Sequence, residues 1–244
     1  MRRPRTLSAF LPAWNEAGNI DRVVGALLDQ LRQLGLAEFE VIVVDDGSTD
    51  GTADFVAAWA ERDDRVRLVR HDHNQGYGAA LRTGFGAARF EHVFFTDADG
   101  QFDFADLPGF VERAAYADAV IGYRAVRGDP PLRRWTGHAW TAIVDALFGL
   151  RIRDVDCAFK LLRTADLARI GPLESTGAVV SAELLWRLDR AGCTIEQRPV
   201  RHLPRVAGEA SGGSPRVIAR AVRELVRLRL GLGPGLGPHP RPAP

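Results

Sequence analysis

Short β-branched and aromatic runs alternate with longer stretches of helical periodicity through the first half of the chain. Leu7–Leu11 is an apolar run stopped by Pro12, and over Ile20–Leu34 the positions Val23, Val24, Leu27, Leu28, Leu31 and Leu34 fall on one helical face. Phe39–Val44 has no polar interruption after Glu40, as expected of a strand covered on both faces. A helix capped by Thr49 or Asp50 and running through Trp59 follows, then a strand at Val66–Val69, a helix at Gly78–Ala88 and a strand at Val93–Thr96. Leu107–Ala115 reads as helix and Ala119–Gly122 as strand. This alternation predicts an α/β fold with a mostly parallel sheet and helices on both faces.

The second half is less regular. Trp135–Phe148 and Ser181–Ala191 read as helices, and Thr194–Val200 as a strand. Gly208–Ser214 (GEASGGS) reads as a mobile loop. Across Pro215–Leu230, Val217, Ile218, Ala221, Val222, Leu225 and Leu228 share one side. Arg216, Arg220, Arg223, Arg227 and Arg229 lie largely on the other, which defines a basic amphipathic helix. The reading divides the chain into a catalytic domain at 1–214, this helix at 215–230, and a Gly/Pro-rich tail at 231–244 expected to be disordered.

Composition narrows the class without naming a chemistry. With 244 residues, 46% hydrophobic and 26% charged, the chain suits one sizeable folded domain. A net charge of +1 gives no electrostatic footprint of a nucleic-acid binder. Cys157 and Cys193 have no metal-ligand spacing and read as buried thiols of a reducing compartment. No apolar run approaches the roughly 20 residues of a membrane span, and the N-terminal stretch lacks the pattern of a signal peptide. The expected location is cytoplasmic, with peripheral contact at the cytoplasmic membrane face left open.

The chemistry collects at the strand ends. Ligands of open parallel sheets bind beyond the carboxyl ends of the strands. There the sequence places PAWNE (12–16), DDGSTDGT (45–52), NQGYG (74–78) and DADGQ (97–101). The first βα turn has no G-x-G-x-x-G, and Leu81 stands where the third glycine after Gly76 and Gly78 would be, so that pair reads as a tight turn into a helix. The one lysine, Lys160, is far from any glycine-rich turn, which excludes a P-loop. If the backbone stays extended, Asp97 and Asp99 point the same way, with Gln101 two residues on. Such oxygen donors suit Mg²⁺ or Mn²⁺, shared with phosphate oxygens. Asp103 is expected to cap the next helix. His71 and His73 share a strand face but lack further ligands, so they read as an exposed strand end, and Cys157 as core.

PAWNE, VVDDGSTDGT, NQGYG, DADGQ, IGYR and CAFKLLR, in this order and spacing, resemble the family 2 glycosyltransferases over about residues 7–214. The branch most similar is that of the dolichyl- and polyprenyl-phosphate sugar transferases of the dolichol-phosphate mannosyltransferase type. The resemblance implies a GT-A (nucleotide-diphospho-sugar transferase) fold. It implies that Pro12, Trp14, Glu16, Val44, Asp46, Asp97 and Ala98 hold the nucleotide sugar, with Trp14 where the family more often has tyrosine. It implies that Asp99 and Gln101 bind a cation on the diphosphate, which together with Asp97 from the residue pattern makes the expected metal set Asp97, Asp99 and Gln101. Arg124 matches a phosphate-contacting arginine, and Arg205 an arginine of a loop that closes over the diphosphate. Arg133 or Arg134 fits an acceptor-phosphate arginine, and Asp154 the acceptor-side aspartate. Two departures fall at the acceptor end: Ala210, Ser211 and Gly212 where relatives often carry a lysine, and Gly137 where some have a serine.

The expected activity is metal-dependent, inverting transfer of a hexose, mannose or glucose, from GDP-mannose or UDP-glucose to polyprenyl phosphate. A lipid phosphate is already an oxyanion, so Arg124 with Arg134 need only position it. A sugar hydroxyl would need a carboxylate base, for which Asp154 is the candidate; pairing with Arg151 or Arg153 is its other reading. Asp99, Asp154 and Arg205 are thus the expected catalytic residues. Two further functions stay open, transfer to a soluble or protein-linked acceptor and a catalytically silent nucleotide-binding protein. The 215–230 helix either lies on an anionic membrane or packs on the domain with its arginines in water.

Overall fold

The computed structural model describes residues 3–126, 131–177, 179–205 and 215–230; the side chains of 126, 131–136, 138 and 215–220 lie outside that description. Seven strands form one sheet in the order β3-β2-β1-β4-β6-β5-β7. The first four strands, β1 (Thr6–Ala13), β2 (Glu38–Asp45), β3 (Val66–Arg70) and β4 (His92–Phe95), pair in parallel. Between them run α1 (Ile20–Gln33), α2 (Thr52–Arg62) and α3 (Tyr77–Ala87), so that half follows the predicted alternation within a few residues. Pro12 does not stop β1. Phe10 O accepts from Thr96 N, and by alternation Pro12 turns its nitrogen to the same side, beyond the end of β4, where no acceptor waits. Asp50 acts as expected of a capping residue, its carboxylate accepting from Thr52 N at 3.1 Å, although Gly51 is the residue that immediately precedes α2.

A one-turn 3-10 segment (Phe104–Asp106) and α4 (Leu107–Arg113) lead to β5 (Ala119–Val126) and α5 (Pro131–Phe148). Two elements escape the sequence pattern, β6 (Lys160–Arg163) and α6 (Thr164–Ile170). β6 lies antiparallel between β4 and β5, which makes the sheet mixed at this point. Then α7 (Val179–Arg190) leads to β7 (Ile195–Arg201), parallel to β5. The terminal helix α8 (Pro215–Arg229) buries Ala221, Leu225 and Leu228 in a second apolar cluster with Val144 of α5 and Leu185 of α7. The main cluster packs the parallel strands between helices, with Phe10, Phe94, Phe95 and Phe159 wholly buried. Among the described residues no helix is long and apolar enough to cross a membrane. The segments 208–214 and 231–244 lie outside the described residues.

β1, β2, β3 and β4 run the same way, β5 joins them, and β6 runs against them. One sheet edge therefore carries the ends of β1 to β5 and β7 together with the start of β6. That edge carries PAWNE, DDGSTDGT, NQGYG and DADGQ, as expected, and it adds Arg124, Lys160 and Arg205.

Candidate active site

The loops after β1 and β2 are joined by reciprocal hydrogen bonds. Asn15 N donates to Ser48 Oγ and Thr49 N to Asn15 Oδ1, both at 2.9 Å. Glu16 N reaches Thr52 Oγ1 at 2.9 Å and Ala17 N reaches Asp50 Oδ2 at 3.0 Å. Asn15 adopts φ 54°, a conformation its short polar side chain tolerates better than most. Asp46 binds the next loop in turn. Its Oδ1 accepts from His71 Nδ1 at 2.7 Å and Gln75 N at 2.9 Å, and its Oδ2 from Gly76 N at 2.8 Å. A Cβ on Gly47 would lie 2.4 Å from the His73 carbonyl carbon, so the loops meet backbone to backbone. His71 is thus no exposed strand end: Asp46 and Thr83 hold its two ring nitrogens. Asp46, expected to face the nucleotide, spends its carboxylate on the NQG loop.

DADGQ leaves the sheet as a turn rather than as extended chain, so the alternation that was to align Asp97 with Asp99 does not apply. Gly100, at φ +71°, sits in that turn, and Asp99 Oδ1 accepts from Gln101 N at 3.0 Å. Asp97 Oδ1 accepts from Tyr77 Oη at 3.0 Å. Burial, reinforced by the charge of Asp99, raises Asp97 to about 7. Gln101 reaches the chain beyond β7: its Nε2 donates to Leu203 O at 3.1 Å, and Leu203 N donates back to Gln101 O at 2.7 Å. That clip brings up Arg205, whose Nη2 lies 2.6 Å from Asp99 Oδ2 and whose Nη1 lies 3.7 Å from Glu16 Oε1. Burial raises Glu16 as well, although Asn19 donates to its other oxygen at 2.7 Å. Asp103 caps the 3-10 segment as predicted, accepting from Ala105 N at 2.9 Å.

The donor set fits a divalent cation in a restricted way. Two carboxylates with mutual repulsion, one of them raised by burial and then by that repulsion, are what such an ion would relieve. Among the described residues no three His, Cys, Asp or Glu side chains converge as a metal cluster, so an ion here needs phosphate or water oxygens to complete its shell. In the structure the guanidinium of Arg205 supplies the positive charge on Asp99.

Across β4 the charges are arranged otherwise. Asp154 is buried and forms a bidentate pair with Arg124, Oδ2 to Nε at 2.7 Å and Oδ1 to Nη2 at 2.8 Å. Asp154 thus pairs with Arg124, and the two residues expected to act separately form one unit. Burial disfavours the Arg124 cation, and the Asp154 carboxylate more than restores it. Arg133 and Arg134 have side chains outside the described residues.

Two residues of this side were not singled out from sequence. Lys160, wholly buried at the start of β6, donates from Nζ to Val155 O at 3.1 Å and, more closely, to Cys157 O; Nζ also lies 5.5 Å from the centroid of the Phe95 ring. Burial lowers its pKa, while the charges of Asp156, Asp154 and Asp97 oppose that. Asp156 accepts from Trp140 Nε1 of α5 at 3.1 Å, and burial followed by the charge of Asp154 raises it to about 6. The available signal was a lone lysine inside an apolar run, CAFKLL. Cys157 is core, as read, its thiol pushed up to about 12 by burial, and Cys193 is buried too.

This geometry has counterparts. Residues 8–171 match Glycosyl transferase family 2. The chain is 30% identical over 230 residues to an undecaprenyl-phosphate mannosyltransferase of Micrococcus luteus, covering 89% of this chain and 91% of that protein. It is 27% identical over 220 residues to the dolichyl-phosphate beta-glucosyltransferase of Saccharomyces cerevisiae, covering 80% of this chain and 66% of that one. Among solved structures, glucosyl-3-phosphoglycerate synthase from Mycobacterium tuberculosis in complex with Mn²⁺, uridine diphosphate and glucosyl-3-phosphoglycerate superposes with a TM-score of 0.68 at 22% identity, over 95% of this chain and 82% of that one. The strand-end site on this mixed sheet is thus that of a GT-A glycosyltransferase. The chain belongs to glycosyl transferase family 2.

Proposed function

We propose that this glycosyltransferase moves a hexose, with inversion, from a nucleotide diphosphate sugar to a polyprenyl phosphate. The observation that carries the proposal is the contact of Arg205 with Asp99 and Glu16, which gathers at one point the groups that would manage diphosphate charge. The Micrococcus and yeast relatives, both named for lipid-phosphate acceptors, support the acceptor class. Trp14, 47% exposed beside the joined loops, would offer a face for the base, with Pro12, Glu16, Val44 and Ala98 as the further nucleotide-sugar residues of the proposal. Asp99 and Asp97, with Oε1 of Gln101 whose Nε2 donates to Leu203 O, would hold Mg²⁺ or Mn²⁺, which when bound neutralises the diphosphate. Arg205 exchanges its pairing with Asp99 for the leaving diphosphate, where its charge favours departure. The acceptor oxyanion is its own nucleophile, and the fixed Arg124–Asp154 pair positions it, with Arg133 or Arg134 as further phosphate contacts.

A second reading, transfer to a hydroxyl of a soluble acceptor, is favoured by Asp156. A carboxyl raised to about 6 next to the Arg124–Asp154 pair suits a general base. Purified protein incubated with radiolabelled GDP-mannose or UDP-glucose, with and without Mn²⁺, and with a polyprenyl phosphate tests both. Label in the lipid supports the leading reading. Hydrolysis or transfer to soluble acceptors alone supports the second, and metal-dependent binding of the sugar nucleotide without turnover would indicate a silent protein.

A further inference from the structure

Helix α8 has two apolar faces. Ala221, Leu225 and Leu228 are buried against α5 and α7. Val222, Val226 and Leu230 form a second row, four residues apart, that is 45%, 46% and 63% exposed. Ile143 on α5, also exposed, lies one turn from Leu147, whose carbonyl accepts from Arg229 Nε at 2.9 Å. Arg223 and Arg227 are exposed and adjoin the row along the helix. The single acid of α8, Glu224, is turned to Thr176, whose Oγ1 it meets at 2.7 Å. The described outer surface of the helix is therefore apolar and cationic.

The structure assigns this face to an anionic lipid bilayer. Aliphatic side chains flanked by guanidinium groups match the boundary between acyl chains and anionic headgroups, where each cation adds attraction and each apolar side chain leaves water. A protein partner of the same charge complement would have to cover a ridge only one helix wide, whereas a bilayer meets it without a matching shape. The helix, though not this outer row, is also tied to the site. Thr176, held by Glu224, accepts from Gly78 N at 3.0 Å at the start of α3, and Trp140 of α5, against which α8 packs, reaches Asp156. The inference rests on the lipid-phosphate reading for its biological sense, but its surface is independently measurable.

Co-sedimentation with sucrose-loaded vesicles tests it, comparing phosphatidylcholine alone with phosphatidylcholine containing about one-third phosphatidylglycerol. The wild-type chain is expected to bind only the anionic vesicles, and less tightly as salt rises. Val222→Asp/Val226→Asp should weaken binding at least about tenfold. Arg223→Gln/Arg227→Gln should weaken it about thirtyfold, at roughly one favourable contact per cation. Both variants should keep wild-type circular dichroism and wild-type transfer to a water-soluble short-chain prenyl phosphate, since neither touches the site. Equal binding to neutral vesicles, unchanged binding by both variants, or a dimer in size-exclusion chromatography abolished by the same substitutions would overturn the assignment. Transfer to the short-chain acceptor without vesicle binding refutes the surface and keeps the function; vesicle binding without transfer does the reverse.

Discussion

The two ends of the site hold their carboxylates by different means. At the β1–β3 end, Asp46 and Asp50 accept from backbone N–H groups of neighbouring loops, so the chain itself supplies the compensation. At the β5–β6 end, Asp154 is held chiefly by the guanidinium of Arg124, with the Arg124 N–H beside it at 3.2 Å, and the loop that bears it by Nζ of Lys160. Backbone donors cannot leave without unfolding the loop, and in the proposed reaction they would give a pocket of fixed shape for the part of the donor that does not react. Side-chain ion pairs can exchange partners, which would let the proposed acceptor phosphate enter between them. Asp99 stands between the two regimes, with one oxygen on a backbone N–H and the other on Arg205.

That middle position should give the largest effect. Asp99→Ala is expected to lower kcat/KM for sugar transfer at least about a thousandfold, roughly 4 kcal/mol, with little change in melting temperature. Activity within tenfold of wild type would mean that Arg205 and Asp97 suffice and that the site has no division at Asp99. Next, Lys160→Met leaves two buried carbonyls without their donor and should destabilise by about 3 kcal/mol in urea unfolding, with most of the cost absent from any substitution of an exposed cation. A neutral result would show that the Arg124–Asp154 pair alone holds the loop.

Asp156 tests the same end through pH. Its folded-state value of about 6 exceeds the ordinary 3.8, so the native protein keeps a proton that the unfolded chain has released. Wild-type stability therefore falls as pH rises across that interval, by at most about 3 kcal/mol. Asp156→Asn, which still accepts from Trp140, should gain on wild type in melting temperature between pH 4 and pH 7 by up to that amount; parallel curves would place Asp156 in ordinary solvent. The smallest expected effect is on the backbone-held end. Asp46→Asn keeps one acceptor oxygen but faces at least one N–H donor with an amide, costing about 2 kcal/mol in urea. A larger loss there than at Lys160 would reverse the ranking of the two ends.

The same division explains what could be read from the chain. The parallel half was legible because strand, turn and helix are each specified locally: Phe39–Val44 by its apolar run after Glu40, Ile20–Leu34 by its stripe, and the polar clusters by their place after strands. β6 was missed because its first residue is a lysine and its four residues leave no period to detect. That lysine is buried only because the carbonyls of Val155 and Cys157 come within reach, a condition set by the returning chain. The Arg124–Asp154 pair spans 30 residues, and the Arg205–Asp99 pair spans 106. Their residue types were legible, but not that each would serve the other. Asp97 and Asp99 were grouped on a premise, extended backbone, that the turn at Gly100 replaces.

Among the chain's 32 lysines and arginines, one alone is a lysine, and it lies wholly buried beneath the site. Apart from a chain terminus, the folded protein therefore presents no primary amine to an acylating reagent. Any acetylation, ester-based cross-link or amine-directed dye that appears within the chain reports one event, the opening of the floor at Lys160. The protein thus carries its own single-site probe of whether the β5–β6 end of the site loosens.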